Sequence, residues 1–279
     1  MTEPKAPRPV IVIIGTGGMG LAAARRMASG RTLLLADYSA PKLEQAVETL
    51  RAEGHLVESQ VVDVSDRHSV AELAGVAQAA GPLAAVVHTA GVSPVMETAR
   101  RIYEVDLLGT ALVIDAFCAV AGPGTSLVCV ASMAGHFTSL PEEFERHLAT
   151  APSGSLLDHA GLDLDGTDPG LAYTVAKRGN QLRVQAAAFA WGARGARVNS
   201  ISPGVISTEM GRAELDGPSG EFMRSMIQHS PAGRLGTPDD IAGVVEFLVS
   251  PASSFICGED ILVDGGVVVG QRWPAPAAD

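Results

Sequence analysis

The fold is decided near the start of the chain, where residues 10–26 read VIVIIGTGGMGLAAARR. Five apolar, β-branched residues lead into a glycine-rich turn, and a helix-forming stretch follows. The turn has the spacing G-x-G-x-x-G at Gly15, Gly17 and Gly20. Gly15 permits the tight turn, Gly17 lets the backbone approach a pyrophosphate, and Gly20 lets the helix pack closely on the strand. The stretch therefore predicts a strand–turn–helix unit that binds a dinucleotide.

Composition and charge limit the classes of protein to which the chain can belong. Hydrophobic residues make up 47% of the 279 residues and charged residues 18%, so the chain can bury a substantial core. The net charge of −11 disfavours binding to nucleic acids or to anionic membranes. Three cysteines without a C-x-x-C pair indicate buried thiols in a reducing compartment. The histidines lack metal-ligand spacing, so no metal site is predicted.

Two segments raise the question of an export signal or a membrane span. Residues 1–9 are polar and contain no apolar core of a signal peptide. Residues 116–141 carry no Asp, Glu, Lys or Arg, but Gly122-Pro123-Gly124 interrupts them. That pattern indicates a helix end, a turn and a buried strand rather than a spanning helix. The expectation is a soluble cytoplasmic protein that binds no membrane.

Apolar runs alternate with segments of helical periodicity along the chain. The runs lack apolar–polar alternation, as expected for parallel strands covered by helices on both faces. This order predicts a single α/β domain over residues 1–279, with a doubly wound, Rossmann-type parallel sheet of about seven strands. The predicted strands are Val10–Ile14, Thr32–Ala36, Leu56–Val62, Ala84–Thr89, Ser126–Ala131, Arg197–Ile201 and Asp260–Val263. The predicted helices are Met19–Ser29, Pro41–Ala52, Arg67–Ala80, Ala99–Ala121, Leu171–Ala193 and Pro238–Leu248.

Two segments interrupt this alternation, and both follow the carboxyl end of a predicted strand. Residues 136–170 are rich in Pro, Gly, Asp and Ser, with one short amphipathic piece at Glu142–Leu148. Residues 204–233 contain no clear strand and carry apolar side chains at Met210, Phe222, Met223 and Met226. Because open α/β sheets bind ligands at this edge, we predict an insertion at the rim of the active site and an apolar substrate lid.

An acidic residue ends the second predicted strand, twenty residues after the second glycine of the turn. Asp37 is placed to accept hydrogen bonds from the adenosine ribose hydroxyls, and its charge would repel a 2′-phosphate. Tyr38 follows, where an arginine would favour that phosphate. We therefore predict NAD rather than NADP as the cofactor. Asp63 and Val64 close the third strand; they either contact the adenine or form a turn in which Asp66 caps the next helix.

Three side chains are candidates for acid–base chemistry. Tyr173 and Lys177 are four residues apart in the predicted helix Leu171–Ala193, so their side chains share one face. An ammonium beside a phenol favours the phenolate and lowers its pKa towards the working pH. Ser132 follows a buried strand, where its hydroxyl can face the crevice or cap the strand end. Y-x-x-x-K alone occurs by chance on many helices, but joined to the nucleotide motif it indicates a catalytic site.

At these residues the chain resembles the short-chain dehydrogenase/reductase family along nearly its whole length. The resemblance implies the strand order 3-2-1-4-5-6-7. It also implies an oxidoreductase that acts on a small-molecule alcohol or ketone, and a homo-oligomer, either a tetramer or a dimer. The matching motifs are the glycine-rich turn, Asp63-Val64, Thr89-Ala90-Gly91, Ser132 with Ala134-Gly135, Tyr173 with Lys177, the segment 197–204, Thr208 and the terminal segment 263–266.

The family mechanism, carried over residue by residue, gives each matching side chain a role. Tyr173 would be the general acid/base that exchanges a proton with the substrate oxygen, and Ser132 would orient that oxygen. Lys177 would bind the nicotinamide ribose and lower the pKa of Tyr173. Asp106 stands where the family usually has an Asn in a proton path from Lys177. The turn and the resemblance together assign cofactor contacts to Gly15, Gly17, Gly18, Met19, Gly20, Asp37, Tyr38, Asp63, Val64, Thr89, Ala90, Gly91, Tyr173, Lys177, Pro203, Gly204, Val205, Ile206 and Thr208.

Several residues depart from the family pattern. The glycine-rich turn is one residue shorter than the family's T-G-x-x-x-G-x-G, and the usual Asn-Asn-Ala-Gly reads His88-Thr89-Ala90-Gly91. Thr89 keeps a hydrogen-bonding side chain where Asn would stabilise the sheet, and we interpret His88 as structural rather than catalytic. A carboxylate at Asp106 would hold Lys177 charged while its own field raises the pKa of Tyr173.

The largest departure is the distance along the chain between Ser132 and Tyr173, which are 41 residues apart (173 − 132). The family usually has far fewer residues there, so the segment 136–170 is an insertion. It resembles that of the bacterial 3α-hydroxysteroid dehydrogenase/carbonyl reductase subgroup, which implies a bulky alicyclic or steroid-like alcohol or ketone. The insertion could equally serve subunit contacts.

Two other functions stay open at this point. A nucleotide-binding protein of this fold with little turnover could act as a redox sensor or scaffold. NAD binding without hydride transfer across a panel of alcohols and ketones would favour that function. Epimerisation or dehydration of a nucleotide sugar would need an extra substrate domain, and the chain length argues against one. We favour an NAD-dependent oxidoreductase that interconverts a secondary alcohol and a ketone.

Overall fold

Seven parallel strands form one sheet in a computed structural model that describes residues 7–273. Residues 1–6, part of the segment considered for an export signal, and residues 274–279 lie outside the described residues. The strand order is β3-β2-β1-β4-β5-β6-β7, which confirms the predicted α/β class and the order implied by the resemblance. The strands are β1 (Val10–Ile14), β2 (Thr32–Asp37), β3 (Leu56–Val61), β4 (Leu83–His88), β5 (Ser126–Val130), β6 (Arg197–Pro203) and β7 (Asp260–Val263).

The helices agree with the predicted ones except in four places, one of which is a short helix over residues 267–272 that was not predicted. The predicted helix over residues 99–121 is divided by a π-helical turn at Tyr103–Leu108, a feature frequent at functional sites. The insertion and the lid each contain helices that the sequence pattern did not define fully. The helices are α1 (Gly18–Met27), α2 (Ala40–Ala52), α3 (Arg67–Ala80), α4 (Ala99–Ile102), α5 (Gly109–Val120), α6 (Glu142–Thr150), α7 (Pro169–Gly192), α8 (Glu209–Asp216), α9 (Gly220–Gln228), α10 (Pro238–Val249) and α11 (Val267–Arg272).

The core lies on both faces of the sheet because alternate residues of a strand point to opposite sides. Val10, Val12 and Ile14 pack with apolar residues of α3, α5 and α7. Ile11 and Ile13 pack on the other face with residues of α1, α2 and α10. β1 is completely buried between these two layers, so the glycine-rich turn that follows it is held by a fixed strand.

β3 corrects the expectation that helices cover both faces of every strand. Leu56 and Val61 are 48% and 52% exposed, and Val57 is the residue of this strand that packs into the core. β3 is an edge strand that pairs with β2, so part of its surface faces solvent. Its Glu, Ser and Gln residues fit that position.

The insertion at residues 136–170 packs on the outer side of the helices that carry the catalytic candidates. Phe144 and Leu148 of α6, with Leu156 and Leu162, form an apolar cluster with residues of α4, the π-helical turn and α7. The lid contains α8 and α9, which follow the carboxyl end of β6. Within residues 7–273, no helix is both long and apolar enough to cross a membrane.

Candidate active site

The glycine-rich turn has the conformation that the spacing of its glycines predicts. Gly15 has φ +99°, which favours glycine, and a Cβ on Gly20 would overlap the carbonyl oxygen of Gly15. Gly17 caps α1 without any side-chain hydrogen bond, and no other group lies within 4 Å of where its Cβ would stand. No side chain therefore caps the first N–H groups of α1, which leaves them available to an anion such as a pyrophosphate.

Asp37 lies beside this turn with its carboxylate fixed on both sides. Oδ2 accepts hydrogen bonds from the N–H and the hydroxyl of Thr16, both at 2.7 Å, and Oδ1 accepts from the N–H of Ser39 at 2.9 Å. Ser39, and not Asp37, caps α2 by accepting a hydrogen bond from the N–H of Lys42. Capping of α2 therefore does not account for Asp37. Thr16 was not among the predicted site residues, although a hydroxyl inside the glycine-rich turn was an available signal.

Asp63 forms a turn, and Asp66 caps α3 through the N–H of His68. Asp63 Oδ1 accepts hydrogen bonds from the N–H and hydroxyl of Ser65, at 2.9 and 2.6 Å. Burial raises the pKa of this carboxyl, but the hydrogen bonds from Ser65 and the nearby Arg101 guanidinium lower it by more, so the pKa lies below its ordinary value. Arg101 also lies 5.8 Å from the centre of the Tyr38 ring. The turn alternative is therefore observed; a contact of Asp63 with adenine stays a prediction.

Thr89 and His88 join the end of β4 to neighbouring elements. The Thr89 hydroxyl lies 3.2 and 3.0 Å from the carbonyl oxygens of Ile14 and Gly15, so it binds the strand end as the Asn of the family would. His88 Nε2 lies 3.1 Å from the Thr110 hydroxyl. That hydroxyl donates to the carbonyl oxygen of Asp106, so it accepts from a protonated Nε2. His88 is therefore a neutral, structural side chain.

His88 gives the fold a sensitivity to acid. Burial, aided by the charge of Lys177, lowers the pKa of His88 from 6.5 to about 3. Below pH 6.5 the unfolded chain binds a proton that the folded chain excludes, so this group lowers stability as the pH falls. Between pH 7 and pH 5, the wild type should lose about 2 kcal/mol more than His88→Asn. Urea unfolding of both proteins at the two pH values measures the difference, and equal losses would contradict the interpretation.

Ser132, Tyr173 and Lys177 converge at the carboxyl ends of β4 and β5. The Ser132 hydroxyl accepts a hydrogen bond from the N–H of Ala134 at 3.2 Å, so it caps the short helical turn that follows β5. Its hydrogen is free for another acceptor, and the hydroxyl lies close enough to Tyr173 to lower the pKa of the phenol. Lys177 Nζ is 5.2 Å from the centre of the Tyr173 ring. The helix α7 thus places both side chains on the face that the four-residue spacing predicts.

Lys177 is paired with Asp106, and both side chains are buried. Lys177 Nζ lies 3.5 Å from Asp106 Oδ2, and Asp106 Oδ1 accepts a hydrogen bond from the N–H of Val92 at 2.9 Å. A Cβ on Gly91 would lie 2.9 Å from Asp106 Oδ1 and 3.3 Å from Lys177 Nζ, so a side chain there would disturb the pair. The π-helical turn sets the direction of Asp106.

Burial and the neighbouring charges shift the pKa values of Lys177, Asp106 and Tyr173 in opposing directions. Burial alone would lower the pKa of Lys177, but the charges of Asp106 and Tyr173 raise it overall. Burial raises the pKa of Asp106, and Lys177 lowers it only in part. Burial also raises the pKa of Tyr173; Lys177 lowers it, whereas Asp106 and Glu214 raise it further. Lys177 therefore stays protonated beside a phenol that is neutral at pH 7.

A cavity of about 520 Å³ opens in front of Ser132 and Tyr173. Eight of the predicted site residues line this cavity. Asp106 lies behind Lys177 and does not line the cavity. Phe137 is the part of the insertion that reaches this cavity. The lining residues are Met19, Pro94, Val95, Val130, Ala131, Ser132, Met133, Ala134, Phe137, Tyr173, Pro203, Gly204, Val205, Ile206, Thr208, Met210, Gly211, Glu214, Ser219, Phe222, Met223, Met226 and Gln271.

The lid lies against the glycine-rich turn. A Cβ on Gly18 would lie 3.2 Å from Cγ2 of Thr208, which also caps α8 through the N–H of Gly211. Glu214 was not among the predicted site residues, although its spacing of four residues from Met210, one helical turn, was an available signal. In the range 7–273, no three His, Cys, Asp or Glu side chains group closely enough to hold a metal ion.

Asp106→Asn should change the pH dependence of alcohol oxidation. The substitution removes a negative charge that raises the pKa of Tyr173 and leaves Lys177 to lower it, so the phenolate forms at lower pH. We expect the rising limb of the rate profile to move by about one pH unit towards acid. Rates of alcohol oxidation from pH 6 to 11 measure it. Asp115→Asn, an exposed change on α5, should leave the profile in place; an unmoved profile in Asp106→Asn counts against a proton-path role.

Sequence comparisons agree with this architecture. A family profile described as short chain dehydrogenase matches residues 9–142, and one described as Enoyl-(Acyl carrier protein) reductase matches residues 137–268. The chain is 39% identical over 260 residues to "Short-chain dehydrogenase/reductase bsc3" of Alternaria brassicicola, covering 92% of this chain and 95% of that protein. It is 30% identical to "Cis-4-hydroxycyclohexanecarboxylate dehydrogenase" of Sinomonas cyclohexanicum, covering 95% and 98%.

Two further matches bear on the subgroup and on the fold. "3-alpha-hydroxysteroid dehydrogenase/carbonyl reductase" of Comamonas testosteroni is 29% identical, covering 79% of this chain and 90% of that protein. A solved short-chain type dehydrogenase/reductase from Mycobacterium ulcerans superposes with a TM-score of 0.74 at 27% identity, covering 95% of this chain and 92% of that one.

The parallel sheet and its glycine-rich turn define a Rossmann-type α/β protein. The chain belongs to the short-chain dehydrogenase/reductase family. This is a family of oxidoreductases that bind a nicotinamide cofactor.

Proposed function

We propose that this protein is an NAD(H)-dependent oxidoreductase that interconverts a secondary alcohol and a ketone. The observation that carries the proposal is that Ser132 and Tyr173 face one apolar cavity, with the Lys177 ammonium beside the phenol. The anion-binding turn at residues 15–20 lies at the same edge of the sheet, which is the edge where ligands bind in open α/β sheets. Residues 15–20, 37, 132 and 173–177 form the proposed site.

The residues present fit a dinucleotide. The open N-terminus of α1 would hold the pyrophosphate, and Asp37 would accept the adenosine ribose hydroxyls. Lys177 and Tyr173 would hold the nicotinamide ribose, and the segment 203–208 would lie beside the nicotinamide. A bound nicotinamide gives hydride to the substrate carbon or takes hydride from it. We propose contacts with Asp63, Val64 and residues 89–91 on the adenine and ribose side.

The chain's own side chains move and hold the proton. In ketone reduction, Tyr173 donates its phenolic proton to the substrate oxygen as that oxygen gains negative charge. Ser132 donates a hydrogen bond to the same oxygen, and its own position is fixed by the N–H of Ala134. Lys177 stabilises the phenolate that remains, and Asp106 keeps Lys177 protonated. Alcohol oxidation uses the same groups in reverse.

The preference for NAD is tested by titrating the protein with NADH and NADPH and following nicotinamide fluorescence. Because Asp37 would repel a 2′-phosphate, NADH should bind about a hundredfold tighter. Asp37→Ser should bring the two affinities within about tenfold, whereas Glu44→Gln, an exposed charge change on α2, should not. NADPH binding as tight as NADH in the wild type contradicts the preference. Binding of neither cofactor contradicts the enzymatic function itself.

We further propose that the protein forms a homo-oligomer. Phe189 of α7 is 93% exposed and Phe255 is fully exposed. The segments that carry them touch, because the thiol of Cys257, two residues after Phe255, contacts the carbonyl oxygen of Ala188, which precedes Phe189. Large exposed aromatic side chains of this kind are typical of subunit interfaces. Sedimentation of the purified protein tests the proposal, and a monomer at micromolar concentration would contradict it.

A further inference from the structure

Glu214 is the one formally charged side chain among the described residues that line the cavity. It lies on α8 of the lid, one helical turn after Met210, and both side chains line the cavity. Around them the lining is mainly apolar, with Val95, Phe222 and Met223 among its members. A carboxylate in such a lining is costly unless something donates hydrogen bonds to it.

The surroundings of Glu214 supply few donors. The Ser93 hydroxyl is fully buried and makes no hydrogen bond in the described part of the chain, and no ion pair involves Glu214 within residues 7–273. Burial raises the pKa of Glu214, and Ser93 and the more distant Lys177 lower it only in part. A carboxylate has about four acceptor positions and Ser93 has one proton to give. The group therefore keeps acceptor positions for a molecule in the cavity.

We propose that Glu214 selects the substrate: it favours ketones and alcohols that carry a second hydrogen-bond donor, and it rejects those that carry a carboxylate. The inference rests on the proposed function and adds the class of substrate. A hydroxyl or ammonium group on the substrate would donate to Glu214 while the ketone oxygen meets Ser132 and Tyr173. A purely apolar ketone fills the same cavity but leaves the carboxylate without the donors that water gave it. An anionic ketone adds repulsion between like charges.

The test compares four cyclohexanones that differ at carbon 4, each reduced with NADH and with NADPH. The substituents are methyl, hydroxymethyl, protonated dimethylamino and carboxylate, so the ring and the reacting carbonyl are constant. In the wild type, kcat/KM should be about tenfold or more higher for the hydroxymethyl than for the methyl compound. The dimethylammonium compound should match or exceed the hydroxymethyl compound. The carboxylate should fall about a hundredfold below the hydroxymethyl compound.

Two variants of Glu214 separate its charge from its capacity to accept hydrogen bonds. Glu214→Gln keeps an acceptor oxygen, so the hydroxymethyl preference should largely persist while the ammonium preference falls and the carboxylate gains about tenfold. Glu214→Leu removes the acceptor, so the hydroxymethyl and methyl compounds should become equal within about twofold. Asp216→Asn is the matched control, because it removes an exposed charge from the same helix; it should keep the wild-type ratios.

The outcomes distinguish the inference from the proposed function. Turnover of the methyl compound with equal rates for all four ketones, or ratios unchanged in both Glu214 variants, overturns the inference and leaves the function standing. Absence of reduction of any of the four ketones with either cofactor counts against the proposed function, and the inference falls with it.

Discussion

Tyr173→Phe is expected to lower kcat by about a thousandfold, because general acid/base catalysis by one positioned group contributes roughly 10²–10⁴-fold. The substitution removes the phenolic oxygen and leaves the ring against Lys177, so the affinity for NADH should fall by less than about tenfold, the effect of one lost hydrogen bond to the ribose. Single-turnover ketone reduction with bound NADH measures the chemical step directly.

Tyr103→Phe is the matched control for this change. Tyr103 is also a largely buried tyrosine. Its hydroxyl lies near Thr167, and the residue does not line the cavity. Its kcat should stay within about twofold of the wild type. If Tyr173→Phe kept a tenth or more of the wild-type kcat, Tyr173 would not be the proton donor.

Lys177→Met is expected to lose both stability and activity. The buried Asp106 carboxylate would be left without its partner, and breaking a buried pair from one side costs about 3–5 kcal/mol. Lys177→Met/Asp106→Asn removes both charges and keeps an oxygen for the N–H of Val92. The double variant should therefore recover most of the unfolding free energy, but its kcat should stay about a hundredfold or more below the wild type.

The pH dependence gives a second check on this pair. Without Lys177, the pKa of Asp106 lies further above its ordinary value of 3.8. A carboxyl whose pKa is raised in the folded state destabilises the fold increasingly as the pH rises above the unfolded value. Lys177→Met should accordingly be nearer to wild-type stability at pH 5 than at pH 8 in urea unfolding. A double variant as unstable as Lys177→Met would show that the ion pair is not the cause.

The parts of the fold that follow from short-range pattern were predicted correctly. β1 and β7 have the predicted boundaries, because turn residues bound each short, largely apolar run and the doubly wound order assigns such runs to parallel strands. The pairing of Tyr173 with Lys177 followed from helical spacing in the same way. These features depend on residues that are close together along the chain, so they can be read from the sequence directly.

The features that were missed depend on contacts between distant residues. The exposure of Leu56 results from the position of β3 at the sheet edge. The π-helical turn at Asp106 does not alter the apolar periodicity of the segment 99–121, so nothing local marked it. The lid contains several acidic residues. The four-residue spacing from Met210 marks Glu214, but only the packing of the lid places that face of α8 at the cavity while Asp216 faces solvent.

The insertion shows why catalytic spacing along a chain is a weak constraint. The entropy lost on closing a loop grows only with the logarithm of its length, about 0.6 kcal/mol for each doubling. Separating Ser132 and Tyr173 by 41 positions therefore costs little chain entropy, and Phe144 and Leu148 offset that cost by becoming buried. Such a segment can be lengthened, shortened or replaced between homologues while the reacting groups stay in register. In this chain the sheet and α7 fix the geometry of the site, so the length and sequence of the loop between them can change without moving the reacting groups.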